Sequence, residues 1–225
     1  MNSETEANLG VDPDDLDELL QTIEKSYDIQ FVSNELAHIR TFGEMTDHIV
    51  AKIKLQDKDD CTDQQAFYKL REAIVATRHL DGKLVQANTY LISIFPRQSR
   101  LKDFKEVERI LGFKLKALRP KDSISAAVLI LFLISVVMLF IDWRYGLIGT
   151  LVSIALFRIV DKTGKEFKEL TVGELTKRMS QRNYVQSRRD KGTVNKKEIE
   201  SKIGNLLIDE LALDLKEIKR ETVIL

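Results

Sequence analysis

Hydrophobic positions along the chain follow two patterns. Positions 123–141 read SISAAVLILFLISVVMLFI, an apolar run without a charge. An α-helix rises about 1.5 Å per residue and the bilayer's hydrocarbon core is about 30 Å thick, so about 20 such residues cross it. After Asp142-Trp143-Arg144, a second apolar run covers positions 145–160, interrupted only by Arg158. Arg158 lies near the end of that run, where a long side chain reaches the headgroups. Trp143 and Tyr145 stand where an interfacial aromatic pair belongs. The pattern predicts a two-helix transmembrane hairpin in an integral membrane protein. Neither run holds a carboxylate or a His, so the hairpin reads as an anchor and not a transport path. Lys114, Lys116, Arg119 and Lys121 precede the first span, and Lys162, Lys165 and Lys168 follow the second. The connecting turn carries only Arg144, beside Asp142. This asymmetry places both soluble ends in the cytoplasm.

Elsewhere the apolar residues recur at the helical period. Leu16, Leu19, Leu20, Ile23 and Tyr27 share one face of a helix whose other face holds Asp14, Asp15, Asp17, Glu18 and Glu24. Acidic residues suit that helix's N-terminus. Phe42, Met45, Ile49 and Ile53 define a second helix, with Thr41 and Glu44 at capping-box spacing. A third opens at Thr62-Asp63-Gln64-Gln65 and runs to about His79. A helix is predicted over positions 83–95, ended by Pro96, and a short one carrying Phe104, Val107, Ile110 and Leu111, ended by Gly112. Near the C-terminus, Ile199, Ile203, Leu206, Leu207 and Leu211 share a face. Thr171-Val-Gly-Glu-Leu175 repeats the pattern of Thr41-Phe-Gly-Glu-Met45, either as two ordinary capping boxes or as the trace of a duplication. The fold class is all-α. Its expected parts are a helical segment at 1–54, a juxtamembrane helical segment at 55–120, the hairpin at 121–162 and a C-terminal helical segment at 163–225.

The first of these segments resembles the acyl carrier protein family. A helix, then Tyr27-Asp28-Ile29-Gln30-Phe31, a short turn, then Thr41-Phe42-Gly43-Glu44-Met45 is similar to helices two to four of that four-helix fold, over residues 9–54. In that family a Ser opening helix two carries phosphopantetheine. Here the stretch reads Leu9-Gly10-Val11-Asp12-Pro13-Asp14, and Pro13 stands where the carrier Ser would be. Pro has no hydroxyl to take a phosphodiester. Ser3 lies upstream, outside that context. The resemblance therefore implies a carrier-like module without the arm and with no cofactor. Residues 194–225 resemble helix one and the loop after it, the part that residues 9–54 lack. Two readings stand: a split, circularly permuted carrier-like fold closed by both ends, or two independent helical fragments. Carrier domains dock through the acidic face of helix two, so the resemblance assigns partner binding to Asp14, Asp15, Asp17 and Glu18. It implies acyl-metabolism enzymes as partners and a binding or scaffolding role in lipid or acyl metabolism.

Charge and candidate chemistry narrow the picture further. The 35 basic and 35 acidic residues cancel, which gives no global pull toward nucleic acid. Local basic stretches remain: Arg97, Arg100, Lys102 and Lys105, and then Lys177, Arg178, Arg182, Arg188, Arg189 and Lys191. Their position beside the spans reads as contact with anionic lipid. The alternative is a membrane-bound regulator whose middle segment binds nucleic acid through a helix-turn-helix-like arrangement. The single Cys61 excludes an internal disulfide, and the polar N-terminus shows no signal peptide. His38, His48, His79 and Cys61 are not at metal-ligand spacing. The sequence holds no phosphate loop, nucleophile elbow or H-E-x-x-H. The expectation is a binding protein, not an enzyme, with no metal.

Overall fold

The structure, a computed structural model, describes residues 9–213 and 217–224. It is mostly helical. In chain order the helices are α1 (Pro13–Tyr27), α2 (Phe42–Lys52), α3 (Thr62–Arg78), α4 (Leu91–Ile94) and α5 (Arg100–Leu111). Then come α6 (Asp122–Ile141), α7 (Trp143–Lys162), α8 (Val172–Arg182), α9 (Tyr184–Ser187) and α10 (Lys196–Glu210). Four two-residue strands accompany them: β1 (Gln56–Asp57), β2 (Leu118–Arg119), β3 (Glu166–Phe167) and β4 (Thr193–Val194). β1 pairs with β4 in parallel, and β2 with β3 antiparallel. The chain forms two compact units, one from residues 1–69 and 176–225, the other from 70–175.

The first unit joins the two ends of the chain. Asp12 caps α1 by accepting from the Asp14 N–H (2.9 Å), and Pro13 occupies the first turn, where no N–H is needed. α1 ends at Asp28, whose φ of 55° turns the chain out of the helix. Leu19, Ile23 and Tyr27 of α1, Phe42 and Ile49 of α2, and Ile203 and Leu207 of α10 belong to one buried core. The ends meet directly: Leu9 N–H donates to Val223 O (2.9 Å) and Ile224 N–H to Arg40 O (3.0 Å). Ser3, and Asp214, Leu215 and Lys216 of the loop matched to the carrier pattern, lie outside the described residues.

The second unit carries the hairpin. α6 and α7, 20 residues each, are long and apolar enough to cross a membrane. They pack against each other along small residues. A Cβ at Gly149 would stand 2.6 Å from Ser135 Oγ, and one at Gly146 would meet the backbone of Leu139. Their outward apolar side chains are exposed, Phe140 and Ile148 among them. Beneath the hairpin, Phe95, Phe104 and Phe167 pack edge to face or tilted, with ring centroids 5.4 to 6.0 Å apart.

Positions 83–95 differ from the expected helix. The structure has a 3₁₀ turn at Gly82–Leu84, then irregular chain, then the single turn α4. The segment spends its backbone groups elsewhere. Ala87 O and Thr89 O accept from the N–H groups of Gly173 and Val172, and Leu91 N–H donates to Leu170 O. Thr89 Oγ1 also takes the Gln86 N–H (2.9 Å), a local bond that competes with helix.

The two units share one hydrogen-bonding scheme. Thr41 and Glu44 form a reciprocal capping box, and so do Thr171 and Glu174. Gly43 N–H donates to Arg220 O (2.8 Å), and Gly173 N–H to Ala87 O (2.7 Å). Thr41 bridges Val223, and Thr171 bridges Tyr90. Glu24 accepts the Phe31 N–H seven residues on (2.6 Å), and Glu108 accepts the Leu115 N–H seven residues on (2.8 Å). Each Glu is followed four residues later by a positive φ, at Asp28 and at Gly112. The register is constant. Arg220 and Ala87, Thr222 and Thr89, Ile224 and Leu91 all stand 133 positions apart. The clamping glutamates are 84 positions apart and the capping boxes 130, and the difference of 46 is filled by the hairpin. The T-x-G-E repetition is thus part of a repeated architecture.

Candidate functional site

The residues assigned to partner binding are placed by α1. Asp14, Asp15, Asp17 and Glu18 all lie exposed on its first two turns, opposite the buried Leu19, Ile23 and Tyr27. Pro13, also exposed, stands at the head of the helix. The helix N-terminus carries positive partial charge, which favours carboxylates there.

Beside this acidic face runs a groove of about 610 Å³ between α1 and the loop that follows it. Leu16, Leu20 and Phe31 give it an apolar floor, and Asp17, Glu24 and Glu35 give it a negative rim. Glu35 anchors the far side. It accepts from Lys52 Nζ (2.6 Å) and from the Val32 N–H (2.7 Å), and His48 Nε2 lies 2.8 Å away. The Lys52 bond, the Val32 bond and His48, in that order, push the Glu35 carboxyl down to about 2. Lys52 also lies 5.4 Å from the centre of the Phe31 ring. His38 meets His48 edge to face at 6.0 Å. The sequence placed Glu24 on the acidic face of the first helix but not its bond to the Phe31 N–H, and it gave Glu35 no role. A glutamate followed four residues later by Asp or Gly and seven later by a large apolar residue is the spacing that Glu24 and Glu108 share in the sequence.

Several basic residues occupy places the sequence did not foretell. Arg100 is 5% exposed; its Nε donates to Phe95 O (3.1 Å) and its guanidinium covers the Phe167 ring at 4.8 Å. Burial lowers its pKa, with Glu166 opposing that shift. Arg188 is fully buried, donating to Thr62 Oγ1 (2.7 Å) and Thr193 Oγ1 (3.2 Å) and pairing with Asp60. Arg182 pairs with Glu210. Arg100, Arg182 and Arg188 therefore hold the fold together; Arg100 and Arg188 do not face lipid or nucleic acid. Cys61 is exposed near Asp60 and Gln64. Among the described residues, no three His, Cys, Asp or Glu side chains are grouped to hold a metal ion.

Comparison with known proteins finds no family model, no curated protein and no solved structure that matches the chain. The class rests on the geometry alone: a mostly helical protein of two compact units, one carrying two helices long and apolar enough to cross a membrane.

Proposed function

We propose that this protein is a membrane-anchored, acyl-carrier-like binding or scaffolding module that works without a phosphopantetheine arm, in a setting of lipid or acyl metabolism. The observation that carries this reading is the first unit. Both chain ends close one helical body, whose α1 presents Asp14, Asp15, Asp17 and Glu18 outward beneath Pro13. Such a face attracts a basic surface on a partner enzyme and speeds encounter. The hairpin of α6 and α7 is the anchor, with its exposed apolar side chains against lipid and both soluble ends on the cytoplasmic side. The protein binds and positions, and carries out no reaction of its own.

The test is intact mass on protein purified in detergent from its native host, combined with in-cell crosslinking. The expected mass is that of the bare sequence. The expected crosslinks join α1 to basic surfaces of acyl-metabolism enzymes, and they are lost when Asp14, Asp15, Asp17 and Glu18 are all changed to Lys. A mass raised by a phosphopantetheine group, or crosslinks unchanged by the charge reversal, would overturn the reading.

A further inference from the structure

The groove beside α1 has a counterpart in the second unit at matching positions, and the charge is inverted. Leu101, Phe104, Lys105 and Glu108 of α5 stand 84 positions after Asp17, Leu20, Gln21 and Glu24 and line a cavity of about 650 Å³. Lys116 takes the place of Val32. Lys114 and, from the far side of the hairpin, Lys162 and Lys168 complete the lining. Five lysines thus face two carboxylates, Glu108 and Asp161, whereas the first unit's groove is lined by no Lys or Arg.

The loop bearing these lysines is held in place. Glu108 accepts the Leu115 N–H (2.8 Å) and the Lys116 N–H (3.2 Å). Lys116 takes a φ of 51°, a conformation a side-chain-bearing residue adopts only when its surroundings impose it. The hairpin neck is equally fixed: β2 pairs with β3, and a Cβ at Gly164 would fall 2.4 Å from the Arg119 carbonyl carbon. The cavity therefore adjoins the C-terminal end of α7, which contributes Asp161 and Lys162 to its lining. Its apolar floor of Leu101, Phe104 and Leu118 suits a ligand that is anionic at one end and hydrocarbon at the other.

We propose that this cavity is a binding site for the headgroup of an anionic phospholipid. The lysines hold the phosphate, and the acyl chains run along the hairpin into the bilayer. The duplicated groove has thus diverged: the acidic copy faces protein partners and the basic copy faces the membrane. The proposal rests on reading the hairpin as an anchor, and the two fail separately. Release of the full chain from membranes by alkaline carbonate would sink the anchor itself.

The direct test is native mass spectrometry of the full chain in detergent, offered phosphatidylglycerol and phosphatidylcholine of equal chain length. The expected result is retention of phosphatidylglycerol about tenfold or more over phosphatidylcholine. That preference should vanish in Lys105→Gln/Lys114→Gln/Lys116→Gln/Lys162→Gln. It should survive in Lys25→Gln/Lys54→Gln/Lys196→Gln/Lys219→Gln, which removes the same charge from exposed positions elsewhere. If the first variant fails to fold, Lys114→Gln and Lys116→Gln singly should each lower the preference about threefold or more. Equal loss in both quadruple variants, or no preference in the wild type, would overturn the site. Binding of inorganic phosphate at these lysines without retention of phosphatidylglycerol would also overturn it, because the cavity would then be a site for a free anion.

Discussion

Tyr27 is fully buried, its ring stacked on Tyr184 at 4.9 Å, and its hydroxyl has no partner among the described residues. Burial first, then the nearby Tyr184 and Glu198, pushes its pKa well above the usual phenol range. A buried hydroxyl without a partner costs about 1 to 3 kcal/mol. Tyr27→Phe keeps the stack and removes the cost, so it should raise stability by about 1 kcal/mol in a denaturant titration. Glu35 makes the opposite case. Its folded pKa of about 2 lies below the unfolded value near 4.5, so its contribution is present above pH 4.5 and is lost as pH falls through 2. Glu35→Gln should be less stable than wild type at neutral pH, and the gap should close below about pH 2. A gap in melting temperature independent of pH would refute this. Neither residue's role was legible in the sequence. Tyr27 read correctly as an apolar position, but a missing hydrogen bond is a tertiary fact. Arg100 and Arg188 mislead for the same reason: a charged residue in a basic stretch looks solvated until an aromatic ring, or two hydroxyls and a carboxylate, close over it.

At the scale of elements the sequence was more open. The periods of α1, α2, α5 and α10, the capping boxes at Thr41 and Thr171, and the apolar runs of α6 and α7 all follow from local spacing. The glycine inside each box does not, because its reason is a partner far along the chain. A Cβ at Gly43 would lie 3.0 Å from Arg220 O, and one at Gly173 2.9 Å from Ala87 O. Gly43→Ala and Gly173→Ala should each cost about 1 to 3 kcal/mol by overpacking, despite alanine's better helix propensity. Chemical denaturation of the full chain reads the effect, and a stabilised variant would contradict the repeat's geometry. The same spacing argument governs the hairpin. Gly146→Leu cannot be seated against the Leu139 backbone without parting α6 from α7. A cysteine pair placed across the two helices should crosslink efficiently in wild type and poorly in that variant.

Over the whole molecule, the repeat explains an architecture that the linear sequence conceals. One copy is split between the two chain ends, and the other is interrupted by 46 residues of hairpin, so neither reads as a continuous pattern. Groove charge is hidden in the same way: Lys105, Lys114 and Lys162 come together only because the hairpin returns the chain to β3 beside β2. If the hairpin is an insertion, the second unit should close without it. β2 and β3 are antiparallel and in register, Arg119 opposite Glu166, which is the geometry a two-residue turn completes. Replacing residues 120–165 with Asn-Gly should therefore give a protein that is soluble without detergent. It should remain largely helical by circular dichroism and unfold cooperatively. Retention of helix with loss of membrane association would establish the hairpin as a separable anchor. A chain that aggregates without detergent would mean that α6 and α7 complete the second unit's core, and the insertion reading would fall.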